Sequence, residues 1–218
     1  MYRCVIFDLD GTLFDTSPGI VKALRYVIEK EGLPLLNEED LKSFVGPPLG
    51  FSFEKYYSCS DEDKLRYVRE FRDYYQNNTI MDFRVYEGID DLLNFLSDHE
   101  LKVGIATHKR VDLAKKIVLE YPMGNCFKTV RGNDDIGSYS KCEIIMQCIT
   151  DLEEEPRTSL YVGDTEGDAS GANEAGVDFI AVTYGFGFSE NYEGIKCGAV
   201  CTVGHAKDII YYLEEDML

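Results

Sequence analysis

The segment Tyr2-Arg3-Cys4-Val5-Ile6-Phe7-Asp8-Leu9-Asp10-Gly11-Thr12-Leu13-Phe14-Asp15-Thr16 constrains the chain more than any other. Cys4 to Phe7 is a short apolar run with β-branched members and no polar alternation, the pattern of a strand buried on both faces of a parallel sheet. The run ends on acid. Asp8 and Asp10 stand two residues apart, and Gly11 lets the chain turn sharply so that both enter one crevice beyond the strand's carboxyl end. Two carboxylates about 4 Å apart repel by roughly 4 kcal/mol at an effective dielectric of about 20, so such a pair calls for a cation or a shared proton. Asp and Gly are also ordinary turn residues. The meaning of the pair therefore depends on what the rest of the chain brings to the same edge.

A helix is expected next, with Ser17 as N-cap and Pro18 at the first helical position, running through Ile20, Val21, Leu24, Val27 and Ile28 to Gly32. Glu38-Glu39-Asp40-Leu41-Lys42 reads as a short helix, and Gly46-Pro47-Pro48-Leu49-Gly50 punctuates before another near Phe51 to Tyr57. Asp61 to Asn77 makes a fourth, with Leu65, Val68, Phe71, Arg72 and Tyr75 spaced for one face. No strand pattern occurs between residues 16 and 82. This stretch is expected to be a helical domain inserted after the first strand, with returns at Asn77-Asn78 and Tyr86-Glu87-Gly88.

From residue 83 onward the pattern alternates. Ile89 to Leu96 is helical, Leu101 to Ala106 a strand, Val111 to Glu120 a helix and Lys128-Thr129-Val130 a short strand. Lys141 to Thr150 is helical, Ser159 to Val162 a strand, Asp168 to Ala175 a helix closed by Gly176, and Phe179 to Val182 another strand. Repeated strand-helix-strand units predict an α/β fold, a doubly wound parallel sheet formed by residues 1–15 and 83–218, with ligands at the carboxyl ends of its strands. Those ends carry Asp8 and Asp10, then Thr107-His108-Lys109-Arg110, then Gly163-Asp164-Thr165-Glu166-Gly167-Asp168.

Charge and cysteine content narrow the function. A formal net charge of −18 over 218 residues leaves no electrostatic footprint for nucleic acid or an anionic membrane, so an anionic substrate needs local help. No stretch is apolar and long enough to span a bilayer, and the N-terminus lacks a signal-peptide pattern, which makes the cytoplasm the expected location. The seven cysteines, Cys4, Cys59, Cys126, Cys142, Cys148, Cys197 and Cys201, form no C-x-x-C pair and read as reduced thiols, mostly buried. His99, His108 and His205 lie too far apart in sequence to suggest a zinc site or a triad. What remains is an oxygen-rich set. Asp8, Asp10 and Asp164 offer hard ligands for Mg2+, which prefers one or two carboxylates plus waters and substrate oxygens. Thr107 offers a hydroxyl and backbone N–H groups, and Lys141, at a helix start, a positive charge for a phosphoryl oxygen.

Phe7-Asp8-Leu9-Asp10-Gly11-Thr12-Leu13, Ala106-Thr107, Ser140-Lys141 and Gly163-Asp164 through Asp168 resemble, in order and spacing, the four motifs of the haloacid dehalogenase superfamily, and the resemblance spans nearly the whole chain. Gly46-Pro47-Pro48-Leu49 and Ala106-Thr107-His108-Lys109 look further like its phosphoglycolate phosphatase-like branch, which includes phosphoglycolate phosphatases, pyrophosphatases and 5'-nucleotidases. The resemblance implies a magnesium-dependent phosphatase acting on a small-molecule phosphate ester. Asp8 would be the nucleophile and Asp10 the general acid and then base. Magnesium would be held by Asp8, the Asp10 backbone carbonyl and Asp164. Thr107 and Lys141 would hold phosphoryl oxygens, with Asp168 behind them. Residues 16–82 would form a mobile cap. Gly46 is a candidate for close approach to the substrate or only the turn before Pro47, and Lys109 and Arg110 either meet a substrate anion or form a solvated helix start. His108 would bind the substrate through its backbone N–H; it stands where the family often has Asn, which leaves its side chain without an implied role.

Other readings separate cleanly. A phosphomutase of the β-phosphoglucomutase type would use the same residues and return the phosphoryl group to a sugar. A haloacid dehalogenase needs neither magnesium nor an acid like Asp10. A non-catalytic binding protein on this fold would usually have lost one of the acids. A receiver domain has no reason to carry a helical insertion. A monomer or homodimer suits the size.

Overall fold

Cys4–Phe7 forms strand β1, and none of its four residues has any solvent exposure. The structure, a computed structural model, describes residues 1–46, 49–134 and 137–217. The two-residue extended segments Phe14–Asp15 (β2) and Arg84–Val85 (β3) flank a helical stretch made of α1 (Ser17–Lys30), α2 (Glu38–Lys42), α3 (Leu49–Tyr57) and α4 (Asp61–Tyr74). Then follow α5 (Ile89–Asp98), β4 (Lys102–Arg110), α6 (Val111–Glu120), β5 (Phe127–Asn133), α7 (Lys141–Leu152), β6 (Ser159–Gly163), α8 (Glu166–Ala175), β7 (Asp178–Val182), α9 (Asn191–Lys196), β8 (Cys201–Val203) and α10 (Ala206–Met217). The chain divides into two compact units, residues 1–15 with 85–218 and residues 16–84.

In the larger unit six strands form one sheet in the order β5-β4-β1-β6-β7-β8, and every pairing is parallel. The chain moves outward from β1 through β4 to β5, then crosses back to β6 on the other side of β1. That reversal opens a crevice at the carboxyl ends, where open α/β sheets bind ligands. Register decides what faces it. Phe7 lies opposite Ile105 on one side and Val162 on the other, so Asp8, Ala106-Thr107 and Gly163-Asp164 come to one level at the carboxyl end of β1. Beneath them Ile144, Ile145, Cys148 and Ile149 of α7 and Ala169 and Ala172 of α8 pack with Ile6, Tyr161 and Phe179 in one buried cluster. Fully burying a side chain of the Ile or Phe class contributes about 1.5–3 kcal/mol, so the crevice stands on a rigid floor.

The smaller unit is held by aromatic rings. Tyr26 of α1 stacks on Tyr74 of α4 at 3.9 Å between centroids, and Phe44 packs edge-on against Phe53 of α3. Its four helices match the expected number among the described residues, but details differ. Thr16, not Ser17, is the N-cap of α1, and Pro18 sits one residue further in, where its missing N–H is still among the donors a helix leaves unbonded. The α4 helix ends at Tyr74 and continues as a π-helical turn over Tyr75–Thr79, where the Asn77 and Asn78 side chains bond Asp73 O and Tyr74 O. Its buried face is Tyr67-Phe71-Tyr75, while Leu65 is 70% exposed and Arg72 is solvent-facing. The aromatic residues, four apart, claim the interior that Leu65 was expected to share. Pro47-Pro48 lies outside the described residues.

In the larger unit, β4 runs past the expected Ala106 to Arg110, because Thr107 and Arg110 stay paired with Gly132 and Asn133 of β5 across an irregular register. The elements α9, β8 and α10 carry no counterpart in the sequence reading. Of the seven cysteines, all free, only Cys4 and Cys148 are buried and the rest are half-buried, short of the mostly buried set expected. No helix among the described residues is long and apolar enough to cross a membrane.

Candidate active site

The crevice is built from four short segments. Asp8 follows β1 directly, its N–H still bonded to Val162 O at 2.9 Å, and the chain then turns at Gly11, whose φ is +85°. A Cβ on Gly11 would lie 2.3 Å from Asp164 Oδ2, so this turn can press on that carboxylate only without a side chain. Asp164 follows β6 and is completely buried. The backbone N–H groups of Phe186 and Gly187 donate to its Oδ2 at 2.7 and 3.3 Å, and the Thr12 hydroxyl donates to Oδ1 at 3.3 Å.

Lys141 opens α7. Ser140 and Glu143 cap that helix reciprocally: the Ser140 hydroxyl accepts from Glu143 N–H at 3.2 Å, and Ser140 N–H donates to Glu143 Oε2 at 2.7 Å. The cap sets the direction of Lys141, and Gly171 on α8 leaves room for its stem, since a Cβ there would lie 2.4 Å from Lys141 Cγ. The ammonium Nζ reaches Asp8 Oδ1 and Asp168 Oδ1, each at 2.7 Å, and donates to the Tyr161 hydroxyl at 3.2 Å. Tyr161 in turn donates to Ala106 O at 2.7 Å. Asp168 belongs to a second reciprocal cap, with Oδ2 accepting from Thr165 N–H at 3.0 Å and from the Thr165 hydroxyl at 2.6 Å. Thr107, 1% exposed, ends the buried part of β4, and its Oγ1 accepts from Lys109 N–H at 3.2 Å. Having accepted that bond, the Thr107 hydroxyl can still donate its proton to a further partner.

Burial and crowding set the charges. Burial pushes the Asp8 carboxyl up to about 8; Lys141 pulls it down, and Asp168, Asp164 and Asp10 push it further up. Asp164 is pushed up to about 7 by burial and by Asp168, against the two backbone N–H groups that it accepts. Burial is also the largest influence on Asp168, yet Lys141 and Thr165 together hold its carboxyl below the usual range. Lys141, despite burial, is raised by Asp168 and Asp8. One ammonium serves two carboxylates here. Asp168 keeps the negative charge and Asp8 takes the upward shift.

The remaining expected residues fall outside this buried knot. Asp10 turns its carboxylate to Lys109, whose Nζ lies 2.9 and 3.2 Å from the two oxygens. Arg110 pairs with Asp112 at 2.6 and 2.8 Å. His108 is exposed, and partial desolvation together with the charge of Lys141 lowers its imidazole pKa. Gly46 belongs to the helical unit, with φ +102° and nothing within 4 Å of where its Cβ would stand, so there it serves as a turn. The sequence reading did not single out Thr12, Tyr161, Thr165, Phe186 or Gly187. Thr165-x-x-Asp168 is a capping signature that could have found one of these supports, and the glycine-aromatic alternation of Tyr184-Gly185-Phe186-Gly187 marks a loop that comes close to other backbone.

Asp8, Asp164 and Asp168 each place a carboxylate oxygen within 4.8 Å of the others. Ionised, these three against the one ammonium of Lys141 leave a formal charge of −2, the complement of a divalent cation, and all the donors are hard oxygens. Asp168 is the least suited to be a ligand, because both its oxygens are already engaged. The donor set fits magnesium through Asp8 and Asp164.

Residues 5–182 match the family described as haloacid dehalogenase-like hydrolase. The chain is 29% identical over 187 residues to a 5'-nucleotidase of Pseudomonas aeruginosa, covering 85% of each, and 28% identical over 185 residues to a phosphoglycolate phosphatase of Aquifex aeolicus, covering 84% of this chain and 86% of that one. The solved structure of a predicted phosphatase from Clostridium acetobutylicum superposes with a TM-score of 0.86 at 32% identity, covering 99% of both chains.

Proposed function

The chain belongs to the haloacid dehalogenase-like hydrolase family and is one of its phosphatases, and we propose that it hydrolyses a small phosphomonoester in two steps through an aspartyl-phosphate on Asp8, with magnesium as cofactor. The observation that carries this reading is the Lys141 ammonium at 2.7 Å from Asp8, fixed from behind by Asp168 and Tyr161 beside the buried Asp164 and Thr107. A nucleophile next to a fixed cation and a hydroxyl donor matches what phosphoryl transfer needs, namely positioning and charge stabilisation rather than much covalent assistance.

Asp8 and Asp164, with the main-chain carbonyl of Asp10, would hold the magnesium. Bound there, it would supply charge stabilisation to the phosphoryl oxygens. Thr107 O–H and Lys141 hold two of those oxygens. The carboxylate of Asp8 forms the bond to phosphorus as the ester P–O bond breaks, and Asp10 gives its proton to the departing oxygen. In the second step Asp10 takes a proton from water, whose oxygen bonds to phosphorus as the Asp8–phosphorus bond breaks. Phosphate leaves and Asp8 is regenerated. The names of the relatives favour release to water over return to a sugar.

The test is phosphate release from phosphoglycolate, nucleoside monophosphates, sugar phosphates and pyrophosphate, with magnesium and after exhaustive chelation. Release from at least one ester that stops on chelation and returns with magnesium is expected. Activity that survives chelation would reject the cofactor, and inertness toward the whole panel would reject the substrate class.

A further inference from the structure

Lys109 stands two residues beyond Thr107 at the end of β4, and its side chain, 9% exposed, reaches back across the crevice edge to Asp10. The ammonium lies 2.9 and 3.2 Å from the two oxygens of that carboxylate, while the backbone N–H of the same residue bonds Thr107 Oγ1 at 3.2 Å. We propose that Lys109 is the positioning residue of Asp10: it fixes the rotation of the Asp10 carboxylate, and its main chain turns the Thr107 hydroxyl so that its proton faces the phosphoryl group. The inference rests on the phosphatase reading above and adds a residue to it.

Three features set this role apart from the substrate-anion contact that the sequence suggested. The ammonium spans both oxygens of Asp10, which restrains the carboxylate's last torsion in a way that a contact to one oxygen would not. Lys109 is less exposed than the carboxylate it holds, 9% against 25%. Its more accessible neighbour Arg110 is turned to Asp112. Correct placement matters, because a shift of about 1 Å in a reacting group can cost about 10²-fold in rate.

The proton bookkeeping of the two steps makes the role separable. Asp10 must give a proton in the first step only if the leaving oxygen is basic. A p-nitrophenolate leaves without one, whereas an alkoxide does not. Losing Lys109 should therefore slow phosphorylation of Asp8 by an alkyl ester and spare phosphorylation by an aryl ester. A residue that merely held a substrate anion would affect both alike.

The experiment compares wild type, Lys109→Met and Lys109→Arg by rapid acid quench of phosphoenzyme formation and by steady-state kinetics, with p-nitrophenyl phosphate and an alkyl monoester that the wild type hydrolyses. Thermal unfolding of each variant confirms that it is folded. For Lys109→Met the expected result is phosphorylation by p-nitrophenyl phosphate within about threefold of wild type and phosphorylation by the alkyl ester slowed about 10- to 100-fold, with a slower hydrolysis of the phosphoenzyme that is the same for both esters. Lys109→Arg, which keeps a cation at that reach, should recover most of the loss. Equal losses of the phosphorylation rate on both esters, a raised KM at unchanged kcat, or no change at all would overturn the proposal. A wild-type protein inert toward both esters would overturn the phosphatase reading itself, and this inference with it.

Discussion

Lys141 and Lys109 each reach an aspartate of the first motif, yet they are held in opposite surroundings. Lys141 is 6% exposed and lies between two carboxylates that are 9% and 2% exposed, with Tyr161 against its ammonium. Lys109 meets one carboxylate that is 25% exposed. At the inner position water cannot replace a lost partner, so every charge there is needed to balance another. At the rim the balance is local and solvent can repair it. The inner cluster should therefore tie catalysis to stability, while the rim pair should affect catalysis alone.

Lys141→Ala should break this comparison open most widely. It leaves Asp8, Asp164 and Asp168 buried without their cation, and removing one member of a buried ion pair costs about 3–5 kcal/mol. Urea unfolding should show that loss, and turnover should fall by more than about 100-fold, because one fixed donor to a developing charge is worth about 10²–10³ in rate. A variant that keeps more than about a tenth of the rate, a loss of only about 1.4 kcal/mol, would count against the role.

Next in size is the pH dependence of magnesium binding. Burial places Asp8 near about 8 and Asp164 near about 7, far above an ordinary carboxyl. Both hold protons in the metal-free protein at lower pH, and those protons must leave when a cation binds. Affinity should therefore rise with pH and level off above about 8, with at least a tenfold gain between about pH 6 and 8 and measurable proton release in calorimetry. The same shifts fix the sign for the metal-free fold. The native state keeps protons that the unfolded chain has lost, so the contribution of these two groups to stability falls as pH rises from about 4 to about 8. An affinity that does not change with pH would mean that the inner cluster is not the site.

Tyr161→Phe probes the inner end more gently. It removes the hydroxyl that donates to Ala106 O and meets Lys141, leaving a buried carbonyl unpaired at a cost of about 1–3 kcal/mol. Stability should drop by that amount in urea unfolding, and kcat should fall only severalfold because Asp8 and Asp168 still hold Lys141. A loss of turnover as large as that of Lys141→Ala would show that the hydroxyl is part of the chemistry.

How much of this was legible in the sequence follows the same division. Asp8, Asp164, Thr107 and Lys141 could be read because each stands just past an apolar strand or at a helix start, where periodicity changes abruptly. The parallel sheet could be read because β1, β6 and β7 are continuous buried runs. Tyr161 could not be read, since inside such a run an aromatic residue looks like core and only the fold shows its hydroxyl beneath Lys141. Phe186 and Gly187 act through backbone N–H groups, which leave no side-chain signature. Lys109 was read as facing substrate because its partner, Asp10, lies 99 residues away in the chain. In the helical unit, spacing alone puts Leu65 inside, whereas Tyr67, Phe71 and Tyr75 take the buried face.

The claim on which all of this rests is that Asp8 carries the phosphoryl group and Asp10 completes its hydrolysis, and acid-quenched labelling with radioactive p-nitrophenyl phosphate tests it most directly. With Asp10→Asn the first step should persist, because this leaving group needs little protonation, and the second should stall, so a labelled phosphoenzyme should accumulate. With Asp8→Asn no label should appear. A label that survives the loss of Asp8, or an Asp10→Asn protein that turns over at the wild-type rate, would contradict the account.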